Sequence, residues 1–215
     1  MTKLGSPIII LGMHRSGTSV VASILHNMNV SMGSEFLEAD QFNPYGYYED
    51  KEFLWINKGI IENAGGTWYA PPTIEEIRKG GNKFIHAIEK VVAIRRNNAG
   101  SNCWGWKDPR NCLTCRIYDR LLPDVKYIVV VRRLADIKAS LYRAHGGLAN
   151  WDKLIQFYYD SVDNFFEYCT KPVLSVGFEE LVYKKYTEKT VLKLLDFVGK
   201  PDSMLERAVQ EIRFR

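Results

Sequence analysis

The chain is expected to fold as a three-layer α/β/α unit with a central parallel sheet, and three observations carry that expectation. Short apolar runs rich in β-branched residues, clearest at residues 8–11 and 125–131, are bounded by glycine or charge, as strands buried on both faces are. Segments with apolar residues at helical spacing separate these runs, and strands alternating with helices pair in parallel. The first run also passes straight through a glycine-bounded loop into a helix. No linker, internal repeat or low-complexity tract interrupts residues 1–215, so one domain with a substantial core is expected.

The first element sets the frame. Ile8, Ile9, Ile10 and Leu11 form the strand, Gly12-Met13-His14-Arg15-Ser16-Gly17 the loop, and Val20, Val21, Ile24, Leu25 and Met28 the buried stripe of the helix. Glycines allow a tight turn, backbone N–H groups converge, and the helix dipole favours an anion, so the loop is a phosphate cradle. A Walker A loop would carry Lys at position 18, where this chain has Thr18 followed by Ser19. Its cation stands inside the loop instead, at Arg15. Such a loop holds a phosphate but is poorly equipped to bridge two phosphates beside Mg²⁺.

Periodicity is then lost from Ser31 to about Gly46, a length that suits a functional loop. The loop ends in Tyr47-Tyr48-Glu49-Asp50, and Phe53, Leu54, Ile56, Ile60 and Ile61 mark a second helix. Glu49 and Asp50 stand where they would cap that helix, and spacing alone favours capping over a catalytic role. A long helix is expected over residues 73–96, bent or split at Gly80-Gly81, with Lys90, Arg95 and Arg96 as a solvated end. Residues 103–106 read as a strand running into Lys107-Asp108-Pro109-Arg110. These charges fit either a ligand-facing strand end or a surface turn before the helix at 111–122.

The strand at 126–131 ends in Arg132-Arg133, and a helix follows with Ser140 about two turns in. Arg132 and Ser140 could hold a second phosphate there, or be a solvated Arg and a helical Ser. His145 falls in a flexible break and is read as exposed. The aromatic stripe of the next helix, residues 151–168, reads as core, and a strand at 173–176, a short helix at 178–182 and two closing helices complete the chain.

Composition narrows the function. Hydrophobic residues make up 46% and charged residues 25%, ordinary for a globular protein, and the net charge of +4 suits an anionic ligand without arguing for nucleic acid. No run approaches the roughly 18 apolar residues of a membrane span or the form of a signal peptide, so a cytoplasmic location without a transmembrane segment is expected. Cys103, Cys112, Cys115 and Cys169 lack a second matching pair and fit reduced structural thiols better than a zinc or redox site.

Taken together, three segments resemble the sulfotransferases that use 3′-phosphoadenosine-5′-phosphosulfate (PAPS), in the bacterial branch acting on carbohydrates and other hydroxyl compounds. Residues Gly12 to Ser19 resemble the family's 5′-phosphosulfate loop, with Arg15 as its cation. Residues 130–141 resemble the 3′-phosphate motif, with Arg132 and Ser140 on its Arg and Ser positions. Residues 43–49 and 104–110 look like the acceptor-side segments. The Asn-Pro-Arg that often follows the 3′-phosphate Arg is Arg133-Leu134-Ala135 here, and a C-terminal Gly-rich nucleotide-wrapping segment is absent.

The resemblance implies PAPS bound by Gly12, His14, Arg15, Ser16, Gly17, Thr18, Ser19, Arg132 and Ser140, with 3′,5′-adenosine bisphosphate as product and no metal. It implies in-line transfer to a hydroxyl of a carbohydrate, small-molecule or lipid acceptor. Arg15 would stabilise charge and Glu49 would be the base, with Asp108 and His14 in reserve and Lys107 assisting. The rivals are a P-loop kinase of a small metabolite or nucleoside and a degenerate, non-catalytic nucleotide-binding module.

Overall fold

The structure, a computed structural model, describes residues 5–210 and 212. Four parallel strands form one sheet in the order β2-β1-β3-β4, where β1 is Pro7–Leu11, β2 Trp104–Lys107, β3 Lys126–Val131 and β4 Val173–Gly177. Every residue of β1 is buried, which is what its continuous apolar run requires of a central strand. β4 is the exception to the expected burial: it is an edge strand, and Val173 is 42% exposed.

The alternation of side chains along β1 feeds two cores. Ile9 and Leu11 join Trp104, Trp106 and Tyr127 on one face. That face is covered by α2 (Lys51–Asn63), α3 (Ile74–Gly81), α4 (Ile85–Ala99), α5 (Asn111–Leu121), α6 (Leu134–His145) and α7 (Trp151–Phe166). Ile8 and Ile10 join Ile128, Val130 and Val176 on the other, under α1 (Thr18–Asn27), α8 (Phe178–Val182), α9 (Lys184–Val198) and α10 (Leu205–Val209). The expected long helix is split: α3 ends at Gly81, a 3₁₀ turn spans Asn82–Phe84, and α4 follows. Among the described residues no helix is long and apolar enough to cross a membrane.

Parallel pairing brings the connections after the four strands to one edge. Ile10 stands beside Lys107, Leu11 beside Val129, and Val131 beside Gly177. The loop after β1, the Asp108-Pro109-Arg110 turn, Arg132 and Phe178 therefore all leave the sheet at its C-terminal edge. The chain moves from β1 to one neighbour and later to the other, which opens the crevice where open α/β sheets take ligands.

Candidate active site

The loop after β1 has the backbone of an anion cradle. Gly17 caps α1 with φ 98°, and no side chain occupies the cap, so the first-turn N–H groups face the crevice. A Cβ on Gly17 would stand 2.1 Å from the Phe178 ring, and one on Gly12 2.7 Å from Ser16 Oγ. Arg15 takes φ 70°, an unusual conformation for a residue with a Cβ. Two polar atoms of the loop, Ser16 Oγ and His14 Nε2, are sealed from solvent and meet no partner among the described residues. Burial, then the nearby Arg110 and Lys107, hold His14 well below the ordinary imidazole value, so its ring is neutral.

The cations converge around this loop. Arg15 donates through Nε to Ser140 Oγ at 2.9 Å and through Nη2 to the Phe42 carbonyl at 3.0 Å. Arg132 donates through Nη1 to the Arg15 carbonyl at 2.9 Å, and its guanidinium lies 4.4 Å from the Phe178 ring centroid. Ser140 thus meets Arg15 directly, while Arg132 meets the same residue's backbone. The hydroxyl of Ser19 donates to the Tyr47 carbonyl at 3.1 Å, which draws the 40–47 segment over the loop. A cleft of about 160 Å³ runs between these groups, lined by His14, Arg15, Thr18, Glu49, Lys107 and Arg132 among others.

The two adjacent carboxylates at the start of α2 are placed differently. Asp50 is the cap, accepting from the backbone N–H groups of Glu52 and Phe53. It also holds Arg95, which is buried rather than part of a solvated helix end. Glu49 instead lines the cleft, where Lys107 Nζ stands 2.6 Å from its Oε1 and Arg110 Nη1 3.7 Å from its Oε2. Burial raises Glu49 above the usual carboxylate range, and the adjoining Lys107 opposes that rise without cancelling it. A carboxylate shifted in that direction is a better proton acceptor than an ordinary one.

Asp108 belongs to a different arrangement. Its Oδ1 accepts from the Arg110 backbone and Nη1 at 2.9 and 2.8 Å, and its Oδ2 accepts from Asn57 Nδ2 at 3.0 Å. Asn57 also donates to Asn111 Oδ1 and accepts from Thr114 and Tyr118, a fully buried and satisfied network. It fixes the turn that carries Lys107 and Arg110. The sequence reading passed over Asn57, although a lone amide within the apolar stripe of α2 was the available signal. Phe178 carried no such signal, and Trp68, one of the aromatics near the expected acceptor loop that suit ring stacking and ordinary packing equally, has its ring 4.3 Å from that of His14.

Residues 7–203 match the profile of a family described as the sulfotransferase family. No curated protein matches the sequence. Among solved structures, a sulfotransferase from Mycobacterium avium superposes with a TM-score of 0.58 at 10% identity, over 97% of this chain and 67% of that one. A sulfotransferase from Alicyclobacillus acidocaldarius gives 0.51 at 13% identity, over 93% and 83%. At such identities the likeness is one of fold.

Proposed function

This chain belongs to the sulfotransferase family, and from that premise we propose that it moves a sulfuryl group from PAPS to the hydroxyl of a small acceptor. The observation that carries the reading is the single cleft shared by the phosphate loop, Arg132 and the Glu49–Lys107 pair. The loop's residues fit the sulfuryl donor on their own terms. The buried Ser16 Oγ without a partner and the glycine positions that a Cβ would fill describe a cradle for anionic oxygens.

When bound, PAPS supplies the sulfuryl group and the phosphate that leaves with the nucleotide. Thr18, Ser19 and the uncapped N–H groups of α1 bind the 5′ side. Arg132 binds the 3′-phosphate from the end of β3. Arg15 stabilises charge that grows on the bridging oxygen. Glu49 Oε2 accepts the hydroxyl proton as the new O–S bond forms and the S–O bond to phosphate breaks. Lys107 keeps Glu49 ionised and in place. Products are the sulfate ester, 3′,5′-adenosine bisphosphate and a proton, so atoms and charge balance.

The test is thermal stabilisation by 3′,5′-adenosine bisphosphate against ATP with Mg²⁺. Selective stabilisation by the bisphosphate is expected, with affinity falling about 10- to 100-fold in Arg132→Ala, as loss of a charge-assisted contact implies. Stabilisation by Mg-ATP alone would replace this reading with a kinase.

A further inference from the structure

Two buried carboxylates share one arginine beside the cleft. Arg110 Nη1 donates to Asp108 Oδ1 at 2.8 Å and stands 3.7 Å from Glu49 Oε2, outside hydrogen-bond reach. Lys107 holds Glu49 Oε1, so the group is two anions and two cations. Of the four carboxylate oxygens, Glu49 Oε2 alone accepts no hydrogen bond among the described residues.

We propose that Asp108 is a positioning residue for the transfer: it holds the Arg110 guanidinium back from Glu49 and so keeps Oε2 open to the hydroxyl that gives up its proton there. The inference rests on the sulfuryl-transfer reading above, in which Glu49 is the base.

Asp108 is a fixed post. It is 1% exposed, and its two oxygens also accept from the Arg110 backbone N–H at 2.9 Å and from Asn57 Nδ2 at 3.0 Å. Asn57 is bonded in turn to Asn111, whose Nδ2 donates to the Ile10 carbonyl at the root of the phosphate loop. The Arg110 side chain, by contrast, is tethered by this carboxylate alone. Its Nε and Nη2 meet no partner among the described residues, and it borders a cavity of about 470 Å³. Freed from Asp108, the guanidinium needs a shift of roughly 1 Å to hydrogen-bond Glu49 Oε2. There it covers the oxygen and favours the ionised, less basic carboxylate.

The other groups around Glu49 are engaged elsewhere. His14 is neutral, Arg15 is held by Ser140 and the Phe42 carbonyl, Tyr47 gives its hydroxyl to Asp40, and Asp50 is paired with Arg95. Burial is the largest influence on Glu49 and raises it; Lys107 opposes the rise, Asp108 adds to it and Arg110 opposes it. Loss of Asp108 and approach of Arg110 therefore push Glu49 the same way, down.

The experiment compares the full chain with Asp108→Asn and with Asp108→Asn/Arg110→Met. Glu49 is titrated by NMR in protein carrying carbon-13 at glutamate carboxyls, with Glu49→Gln identifying its signal. Turnover per folded molecule is measured with PAPS and whichever of 2-naphthol and maltose the native chain sulfates. In Asp108→Asn, Glu49 is expected to titrate at lower pH, the acid limb of kcat/KM to follow it, and kcat at high pH to fall about 10- to 100-fold. Removing the cation as well is expected to raise kcat again, to within about tenfold of native. A purely structural Asp108 would lower the folded fraction without moving the titration down. An unmoved or raised Glu49 titration in Asp108→Asn, or a double variant no faster than the single, would overturn the proposal. If Asp108→Asn does not fold, the double variant, which removes the ion pair as a unit, decides: a loss as deep as in Glu49→Gln overturns the proposal. If the bisphosphate fails to bind, the sulfuryl-transfer reading falls, and the NMR titration alone then tests the hold of Asp108 on Arg110.

Discussion

Glu49 and Lys107 stand 2.6 Å apart with 5% and 1% of their surface exposed, so the desolvation of each ion is offset chiefly by the other. Glu49→Gln removes both the proton acceptor and the counter-charge. Turnover is expected to fall about 10²- to 10⁴-fold with bisphosphate affinity kept. Stability should also drop by about 3–5 kcal/mol, because Lys107 is left buried and uncompensated. Adding Lys107→Met to that variant should restore much of the stability and none of the turnover, which denaturant melts and steady-state rates separate. The pH profile follows from the same pair. Glu49 must lose its proton to act, so kcat/KM rises with pH through a carboxyl value that burial holds above the usual range. Lys107→Met removes the cation favouring the ionised form, and the acid limb should move to higher pH. A limb that stayed in place would take Glu49 out of the role of base. His14 adds no second limb near 6.5, because its imidazole already stays neutral there.

The phosphate loop is tied to the elements on either side of it. Phe178, the first residue of α8, fills the space a Cβ on Gly17 would need, and the same ring lies under the Arg132 guanidinium. Gly17→Ala therefore strains a left-handed backbone position and pushes Phe178 against Arg132. The backbone strain alone costs about 1–2 kcal/mol, or roughly 2–8 °C in melting temperature for a chain of this size. The KM for PAPS should rise about tenfold or more as Arg132 shifts. Gly199→Ala is the control, with φ 69° and nothing within 4 Å of the added carbon. It should lose comparable stability and leave the PAPS KM unchanged, and an equal effect of both variants on KM would refute the Phe178 linkage. A similar close approach explains the split of the third helical segment. Helix propensity alone makes Gly80-Gly81 a weak point, but a Cβ on Gly81 would lie 2.3 Å from Ile117 Cδ1 of α5. Packing of α3 on α5 requires the glycine there.

At the scale of the whole molecule, what was legible in the sequence was what local pattern encodes. β-branched runs marked β1, β3 and β4, a short aromatic run ahead of charge marked β2, glycines marked the strand–loop–helix turn after β1, and helical spacing marked the helices. What stayed hidden depends on partners far along the chain. Adjacent Glu49 and Asp50 look alike to any spacing rule. They are separated by the path of the chain, where Tyr48 at φ 53° turns Glu49 into the cleft and leaves Asp50 on the helix cap. Arg95 finds Asp50, Ser140 finds Arg15 and Asn57 finds Asp108 across 45, 125 and 51 residues. The two cores carry the last consequence. Ile9 and Leu11 enter one and Ile8 and Ile10 the other, so neither face can come apart without exposing the same central strand. Of the five tryptophans, Trp68, Trp104, Trp106 and Trp151 lie in or against the first core, while helices on both faces contribute to far-ultraviolet circular dichroism. Urea unfolding should therefore give coincident transitions by indole fluorescence and circular dichroism, the behaviour of one cooperative domain. Fluorescence changing at lower urea than ellipticity would mean that the face built by α2 to α7 melts on its own, and the shared strand would then not couple the two halves.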